Sequence, residues 1–371
     1  MGHADRITAS QQAEPLQASR QFQTIPKVNI VSSFLMMLFV LSLFRFFSSG
    51  LVFLAVVGAS FLSGEAQAAP TDAYPQKPIQ LLVSFAPGGT TDFMARTLAD
   101  SLGKALGQSV NVVNKAGGGG VIGTAELAHA APDGYSLGIA TVSTLAANPA
   151  INPKVPYNPL TDFTPIVNVA ASPNLIAVNP RFPAKNYKAF LAELKNSPDQ
   201  YNYATSGAGG IGHLQMELYK SLTGVKINHV PFRGAGPALN DTVTGQVAMV
   251  FDNLPSAMPY IRDGRLIPIV VAAPERLPSL PNVPTFKEVG LESVNRMAFY
   301  GLYGPKGLPT DVVAKINAAV RKVVEDPTVR RRIEDSGSIV VANSPEQFAA
   351  QIRTEFEVYK RVVAQQKLLL N

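Results

Sequence analysis

From Lys77 onward the chain alternates between short apolar runs and stretches in which apolar residues recur at helical spacing. In the first part of this region the pattern predicts strand, helix, strand, helix and strand. These elements are predicted at residues 79–85, 93–106, 110–113, 121–130 and 137–140. Strands that alternate with helices in this way are typical of a parallel sheet covered by helices.

A second alternating series follows a stretch rich in proline and asparagine at residues 148–165, which we interpret as a long surface excursion. Strands are predicted at residues 175–178, 201–205, 247–251 and 266–272, and helices at residues 187–195, 211–222, 237–244 and 256–262. A strand-like run at 299–303 then precedes helices at 310–325, 328–335 and 345–367, which we expect to return to the first lobe. The last helix begins with Ser344 as its cap and Pro345 in its first turn.

The two series predict an α/β fold with two lobes, each a mostly parallel sheet flanked by helices. We assign residues 74–173 and 297–371 to the first lobe and residues 174–296 to the second. The hydrophobic fraction of 46% supplies ample material for both cores.

A long apolar segment precedes the folded region. Residues 28–62 carry one charge, Arg45, and small residues at the end of the segment form a cleavage signal after Ala68. We therefore interpret residues 1–68 as an export leader, with translation starting at Met36 or at the methionine after it. The alternative is an uncleaved membrane anchor, since the apolar run is long enough to span a bilayer.

Composition excludes several classes of site. The chain has no cysteine, which rules out disulfides, thiolate metal sites and a cysteine nucleophile. Its four histidines lack metal-binding spacing, so we predict neither a metal nor a cofactor. The formal net charge of +6 is not concentrated in a basic block, so nucleic acid is not an expected partner.

Glycine-rich turns precede four of the predicted helices, at residues 86–92, 116–120, 205–210 and 233–237. Glycine lets backbone N–H groups approach a ligand, and a helix N-terminus adds partial positive charge. Together the turns indicate an anion receptor, although each one alone is compatible with an ordinary strand-to-helix turn. Within the first turn, we expect Asp92 to be chiefly the N-cap of its helix, with ligand contact as a secondary role.

Two other functions fit parts of this pattern. The spacing G-x-G-x-x-G occurs at Gly118 and again at Gly207, but neither copy has the acidic residue that a dinucleotide ribose requires. A secreted hydrolase could use Ser206 as nucleophile, His213 as base and Asp252 as orienting group. Ser206 lacks the G-x-S-x-G elbow, which makes this the alternative rather than the leading hypothesis.

Ordered motifs along residues 74–363 resemble a known family. They are the Pro-Gly-Gly-x-x-Asp turn ending at Asp92, the segments 114–123 and 132–135, the Ser-Gly-x-Gly-x-x-x-His-Leu string from Ser206, and the segments 230–234, 251–255 and 304–309. They resemble the receptors of tripartite tricarboxylate transporters, also called the Bug family. The resemblance implies a periplasmic, non-catalytic protein with a two-lobed periplasmic-binding-protein fold. We expect a monomer that closes on a small carboxylate and passes it to the membrane components of its transporter.

The resemblance also implies where the ligand binds. The first and third glycine-rich turns would form opposite jaws, with backbone amides and hydroxyl groups holding the carboxylate oxygens. The expected ligand-binding residues are Phe85, Ala86, Gly88, Gly89, Thr90, Asp92, Ser143, Thr144, Thr205, Ser206, Gly207, Ala235 and Asp252. One departure from the family lies near the expected hinge, where Phe299 stands at a position often held by tryptophan.

Overall fold

The computed structural model describes residues 74–368, which contain two sheets and the helices around them. The strands are β1 (Ile79–Val83), β2 (Val110–Asn114), β3 (Ser136–Thr141), β4 (Phe163–Ser172), β5 (Asn174–Val178), β6 (Asn202–Thr205), β7 (Asn228–Pro231), β8 (Met249–Asn253), β9 (Ile267–Ala272), β10 (Ala298–Pro305) and β11 (Ile339–Val340). The α-helices are α1 (Thr90–Leu106), α2 (Val121–Ala128), α3 (Asn148–Ile151), α4 (Tyr187–Asn196), α5 (Ile211–Thr223), α6 (Ala235–Thr244), α7 (Leu254–Arg262), α8 (Thr310–Glu325), α9 (Pro327–Asp335) and α10 (Pro345–Gln366). A π-helical turn, Ser143–Ala147, follows β3.

Each sheet combines parallel and antiparallel strands. The first has the order β11-β4-β10-β3-β1-β2, and the second has the order β7-β6-β8-β5-β9. Only β1 with its two neighbours and β6 with its two neighbours are parallel. The expectation of mostly parallel sheets is therefore corrected to two mixed sheets. The physical reason is the crossing of the chain between lobes, because β4 and β5 carry it outward and β10 carries it back in the opposite direction.

Three strands were not predicted from the sequence pattern. β4 begins inside the stretch interpreted as a surface excursion and includes Pro165, while β7 has four residues and β11 has two. Short edge strands bury too little apolar surface to produce a clear alternation, which explains β7 and β11.

The late helices pack on the first sheet, as the sequence predicts. Val320 of α8 and Phe348 of α10 belong to the same buried core as the strands β1 and β3. Phe299, the departure from the family, is 1% exposed and meets the Phe348 ring edge to face with centroids 5.4 Å apart. Phenylalanine therefore fills this position by an ordinary aromatic contact. The second sheet has a separate apolar layer on each of its faces.

The start of α10 confirms the predicted cap. The Ser344 hydroxyl accepts a hydrogen bond from the Gln347 amide, and the Gln347 side chain accepts one from the Ser344 amide. This reciprocal arrangement satisfies two N–H groups that the helix itself leaves without partners.

Between residues 74 and 368, none of the helices combines the length and the apolar character that a membrane crossing needs. The predicted leader and its cleavage after Ala68 lie outside the described residues. The same described range contains no group of three histidine or carboxylate side chains placed to hold a metal ion.

Candidate functional site

A small cavity lies between the two lobes. Its volume is about 20 Å³, which is room for one water molecule. The residues around it are Phe85, Gly89, Thr90, Thr91, Thr141, Val142, Ser143, Ser206, Ile211, Ala235, Asp252, Asn253, Ala298 and Tyr300. The cavity thus brings together parts of the first and third glycine-rich turns, which the sequence predicts as opposite jaws.

The structure places seven of the expected site residues on this cavity and six beside it. Those on the cavity are Phe85, Gly89, Thr90, Ser143, Ser206, Ala235 and Asp252. Those outside its lining are Ala86, Gly88, Asp92, Thr144, Thr205 and Gly207. The lining residues that sequence reasoning missed are Thr91, Thr141, Val142, Ile211, Asn253, Ala298 and Tyr300. Ile211 carried a usable signal, since it directly follows a glycine-rich turn.

Four helix N-termini converge on the cavity. Thr90, Ile211 and Ala235 are the first residues of α1, α5 and α6, and Asn253 is the residue directly before α7. The first turn of a helix has N–H groups without intrahelical partners and the positive end of the helix dipole. This arrangement favours a negatively charged ligand without any lysine or arginine in the wall.

Direct hydrogen bonds join the lobes beside the cavity. The Thr90 and Ser256 hydroxyl oxygens are 2.9 Å apart, and the Ser256 amide donates to Thr90 Oγ1 over 3.2 Å. The Ile211 amide donates to Ser143 Oγ over 3.0 Å. These contacts join α1 to α7 and the turn after β3 to α5. The lobes are therefore in contact on two sides of the cavity.

The glycine-rich turns also meet each other across the cleft. A Cβ atom at Gly119 would lie 2.4 Å from the Ala208 carbonyl oxygen, and one at Gly207 would lie 2.6 Å from Gly119 Cα. A Cβ at Gly236 would lie 2.3 Å from the Pro87 carbonyl oxygen. These distances are too short for any side chain. The absence of side chains therefore permits backbone contact between the lobes at these positions.

The expected residues outside the lining hold the turns in shape. The Ala86 amide donates to the Arg233 carbonyl over 3.1 Å and links the first turn to the fourth. Thr144 Oγ1 accepts a hydrogen bond from the Thr141 amide over 3.1 Å. Thr205 Oγ1 lies 2.7 Å from His229 Nε2. These residues therefore fix the shape of the turns that carry the lining residues.

The prediction that Asp92 is the N-cap of α1 is wrong. The helix begins at Thr90 with Gly89 as its cap, which places Asp92 inside the first turn. Its carboxylate accepts hydrogen bonds from the Gly88 amide, Arg96 Nε and Asn114 Nδ2 at 3.0 to 3.2 Å. Burial raises the pKa of Asp92, but the bonds from Arg96, Asn114 and Gly88 outweigh burial and hold the pKa below its ordinary value. Asp92 is thus an ionised structural group of the first jaw.

Asp252 has the opposite environment. Its side chain is buried in the cavity wall, and the Ser256 hydroxyl donates to Asp252 Oδ2 over 2.5 Å. Burial raises the pKa of Asp252 to about 7, against a smaller lowering by hydrogen bonds from Ser256 and the Asn253 amide. Among residues 74–368, no lysine, arginine or histidine forms an ion pair with it. Near neutral pH this carboxyl group is therefore protonated in a large fraction of molecules.

The proposed hydrolase residues do not form a catalytic set. Ser206 lines the cavity, but the His213 Nδ1 atom accepts a hydrogen bond from the Gly209 amide over 3.2 Å. The His213 ring stacks on His229 with centroids 4.2 Å apart, and burial lowers the pKa of His213. Asp252 bonds to Ser256 instead of orienting a histidine. No hydrogen bond within the described range joins nucleophile to base or base to carboxylate.

Comparison with known proteins decides the family. Residues 94–368 match the model of the tripartite tricarboxylate transporter family receptor. This chain belongs to that family. It is 35% identical over 313 residues to the protein BugT of Bordetella pertussis, with 84% of this chain and 96% of that protein covered. The family and the class of periplasmic solute receptors, both inferred from sequence motifs, are confirmed.

Solved structures of receptors confirm the two-lobed α/β fold. The structure of a periplasmic transporter is 47% identical, has a TM-score of 0.79, and covers 81% of this chain and 100% of its own. MatC from Rhodopseudomonas palustris, solved with malate, is 36% identical with a TM-score of 0.76 and coverages of 78% and 100%. Rpa4515 of R. palustris, solved with adipate, is 30% identical with a TM-score of 0.77 and coverages of 80% and 99%.

Proposed function

We propose that this receptor captures a small organic carboxylate between its lobes, with dicarboxylates such as malate and adipate as the first candidates. The observation that carries the proposal is the convergence of four helix N-termini on one cavity. Relatives at 36% and 30% identity that hold malate and adipate support the choice of ligand class.

The charge of the ligand would be balanced by dipoles rather than by ion pairs. The cavity wall contains neither lysine nor arginine. Backbone N–H groups at Thr90 and Ala235 and the hydroxyl groups of Ser143 and Ser206 are the available donors. The Ile211 amide would join them on exchanging its bond to Ser143 Oγ for one to the ligand. A protonated Asp252 would add a further donor and would not repel the anion.

Ligand entry requires the lobes to separate. A cavity of about 20 Å³ holds a single water-sized group, which is smaller than any dicarboxylate. We propose that residues 74–173 with 297–371 form one moving lobe and that residues 174–296 form the other. The ligand then stabilises the closed arrangement by contacts that it makes with both lobes at once.

In the proposed receptor role, the protein binds and releases its ligand without changing it chemically. We propose that the leader is removed near Ala68, that the mature protein acts as a monomer in the periplasm, and that it delivers its ligand to the membrane components of the transporter. The hydrolase alternative has no supporting contact, because His213 bonds to the Gly209 amide and Asp252 bonds to the Ser256 hydroxyl.

Substitution of Gly89 by valine tests the proposed jaw. A Cβ at Gly89 would lie 3.0 Å from Ala235 Cβ across the cleft, so the two additional methyl groups of valine would hold the lobes apart. Gly89 has φ −94°, which valine adopts without strain. We expect Gly89→Val to lose malate and adipate binding in isothermal titration while it keeps the circular dichroism spectrum of the wild type.

A matched control is Ala105→Val, which places the same side chain at an exposed position of the same helix. It should bind like the wild type. Wild-type affinity in Gly89→Val would refute the jaw, and chemical change of the ligand after incubation with the wild-type protein would refute binding without turnover. Failure of every carboxylate to bind the wild-type protein would refute the proposed ligand class.

A further inference from the structure

A groove of about 500 Å³ lies on the outer side of the contact between α1 and α7. Its lining residues are Phe93, Pro255, Met258, Pro259, Arg262, Pro327, Thr328, Arg331, Arg332, Asp335 and Ser336. The helices α1 and α9 belong to the first lobe and α7 belongs to the second. The groove therefore has one wall in each lobe, and it is far larger than the cavity between them.

The groove has an apolar and a cationic part. The apolar part, named the floor, consists of Phe93, Pro255, Met258, Pro259 and Pro327. The charged part, named the rim, consists of the guanidinium groups of Arg262, Arg331 and Arg332 with one carboxylate, Asp335. None of the three arginines has a carboxylate within 4.0 Å in the range 74–368. The groove thus carries positive charge without a compensating partner in this range, and it presents apolar surface beside that charge.

The arginine run at 330–332 is consequently divided between two roles. Arg330 pairs with Glu334 over 3.1 Å on the exposed face of α9, as expected for a solvated helix surface. Arg332 instead lies over the Phe93 ring, with its guanidinium carbon 5.6 Å from the ring centroid. That position holds a cation above the apolar floor, where it can meet an incoming carboxylate.

The groove and the ligand cavity share a wall. On α1, Thr90 faces the cavity, whereas Phe93, one turn further along, faces the groove. On α7, Ser256 bonds to Thr90, whereas its neighbour Pro255 lines the groove. Arg262 Nη2 also donates to the Asp335 carbonyl over 2.9 Å and joins the two walls at the far end. Separation of the lobes would pull these walls apart, so the groove is complete only in the closed receptor.

We propose that this groove is the docking site for an acidic segment of the transporter's membrane component, one that carries an apolar side chain between carboxylates. The inference rests on the proposed function, because the groove would report ligand-induced closure to that partner. Three arginines around an apolar recess suit a protein segment better than a lipid surface, since recruitment by anionic lipids generally uses about four to eight clustered basic residues. The apolar floor would supply affinity for the segment, and the charged rim would set the orientation of the segment in the groove.

Charge reversal on one wall tests the docking site. The double variant Arg331→Glu/Arg332→Glu changes the groove, and Arg321→Glu/Lys322→Glu makes the same change of net charge at exposed positions of α8. Malate and adipate affinity is first measured for each purified protein by isothermal titration. Uptake of whichever labelled ligand binds is then measured in cells of the parent organism that lack the chromosomal copy and are complemented with each variant at equal periplasmic level.

We expect the groove variant to bind ligand within twofold of the wild type and to lower uptake at least tenfold, while the α8 variant transports normally. A photo-crosslinking amino acid that replaces Thr328 should form a crosslink to an integral membrane protein when ligand is present and lose it in the groove variant. Equal uptake by both variants would overturn the proposal.

Two further results would assign the groove to another partner and also overturn the proposal. One is binding of the wild type, but not of the groove variant, to vesicles of phosphatidylglycerol and phosphatidylethanolamine. The other is a dimer in sedimentation velocity that the groove variant abolishes. If neither malate nor adipate binds the wild-type protein, the failure lies in the proposed ligand class, because the crosslink then has no ligand to depend on.

Discussion

The buried carboxyl group of Asp252 should make the stability of the folded protein depend on pH. Its pKa of about 7 in the folded protein compares with an ordinary value of 3.8. Between these values the folded protein retains a proton that the unfolded chain has released. Because the unfolded state then binds fewer protons, the free energy of unfolding decreases as pH rises through this interval, and the decrease stops above pH 7.

The magnitude follows from the length of the interval. From pH 5 to pH 7 the folded group stays protonated over about two pH units, and each unit corresponds to about 1.4 kcal/mol. Wild-type protein should therefore lose about 3 kcal/mol of stability between pH 5 and pH 8 through Asp252 alone. Asp252→Asn keeps the shape of the side chain and does not ionise, so it lacks this loss. The free energy of unfolding of the variant, relative to that of the wild type, should therefore be about 3 kcal/mol higher at pH 8 than at pH 5.

Urea unfolding at the two pH values measures the difference. The chain has no tryptophan, so far-ultraviolet circular dichroism is the suitable signal. Asp100→Asn, at an exposed position of α1, serves as the control and should show little pH-dependent change relative to the wild type. An identical stability change for Asp252→Asn at pH 5 and pH 8 would show that the carboxyl group ionises as in water and would refute the reasoning. The same variant should remove any loss of dicarboxylate affinity that the wild type shows above pH 7.

Two further substitutions test contacts away from this group. In Gly119→Ala the new Cβ would meet the Ala208 carbonyl oxygen across the cleft and oppose closure. Dicarboxylate binding should therefore weaken about tenfold or more, since a loss of about 1.4 kcal/mol in the free energy of closure lowers affinity tenfold. Gly264→Ala, with a similar φ of +68° against +63° and open space around it, should bind normally in the same titration, and equal losses would point to backbone strain instead. Glu355→Gln breaks the half-buried ion pair with Arg296, whose N···O distance is 2.5 Å. It should therefore lower the free energy of unfolding, measured in urea, by about 2 kcal/mol. An unchanged midpoint of the urea transition would contradict this.

The sequence predicts the helices better than the sheets because the two kinds of signal differ. Amphipathic spacing marks a helix such as α8 within its own residues, whereas strand direction depends on a partner elsewhere in the chain. β10 returns from the second lobe and pairs antiparallel with β4, more than 120 residues earlier. Its apolar run is the same whichever direction it takes. Mixed sheets therefore require knowledge of where the chain crosses between lobes.

The residues of the site likewise differ in whether a local sequence pattern marks them. Residues in glycine-rich turns, such as Gly89 and Ser206, were predictable because the turn chemistry and the following helix lie in the same local segment. Tyr300 comes from β10, where its apolar neighbours make it look like an ordinary core residue, yet its hydroxyl donates to Asn253 Oδ1 over 2.6 Å at the cavity. The predicted cap, Asp92, lies three residues beyond the observed cap, Gly89, because the sequence pattern is equally compatible with Thr90 and Thr91 in the turn or in the helix.

The contacts across the cleft are consistent with the proposed control of closure by a ligand. Most are neutral hydrogen bonds, which join Thr90 to Ser256, Ser143 to Ile211, Ala86 to Arg233 and Tyr300 to Asn253, and one bond from Arg262 to the Asp335 carbonyl is added to them. Each such bond contributes about 1 kcal/mol net, because water replaces it when the lobes separate. The glycine turns add close backbone contact but little apolar area. In the proposed closure, contacts of this size would leave the closed state within a few kcal/mol of the open one, and the binding energy of one small anion would be enough to decide between them.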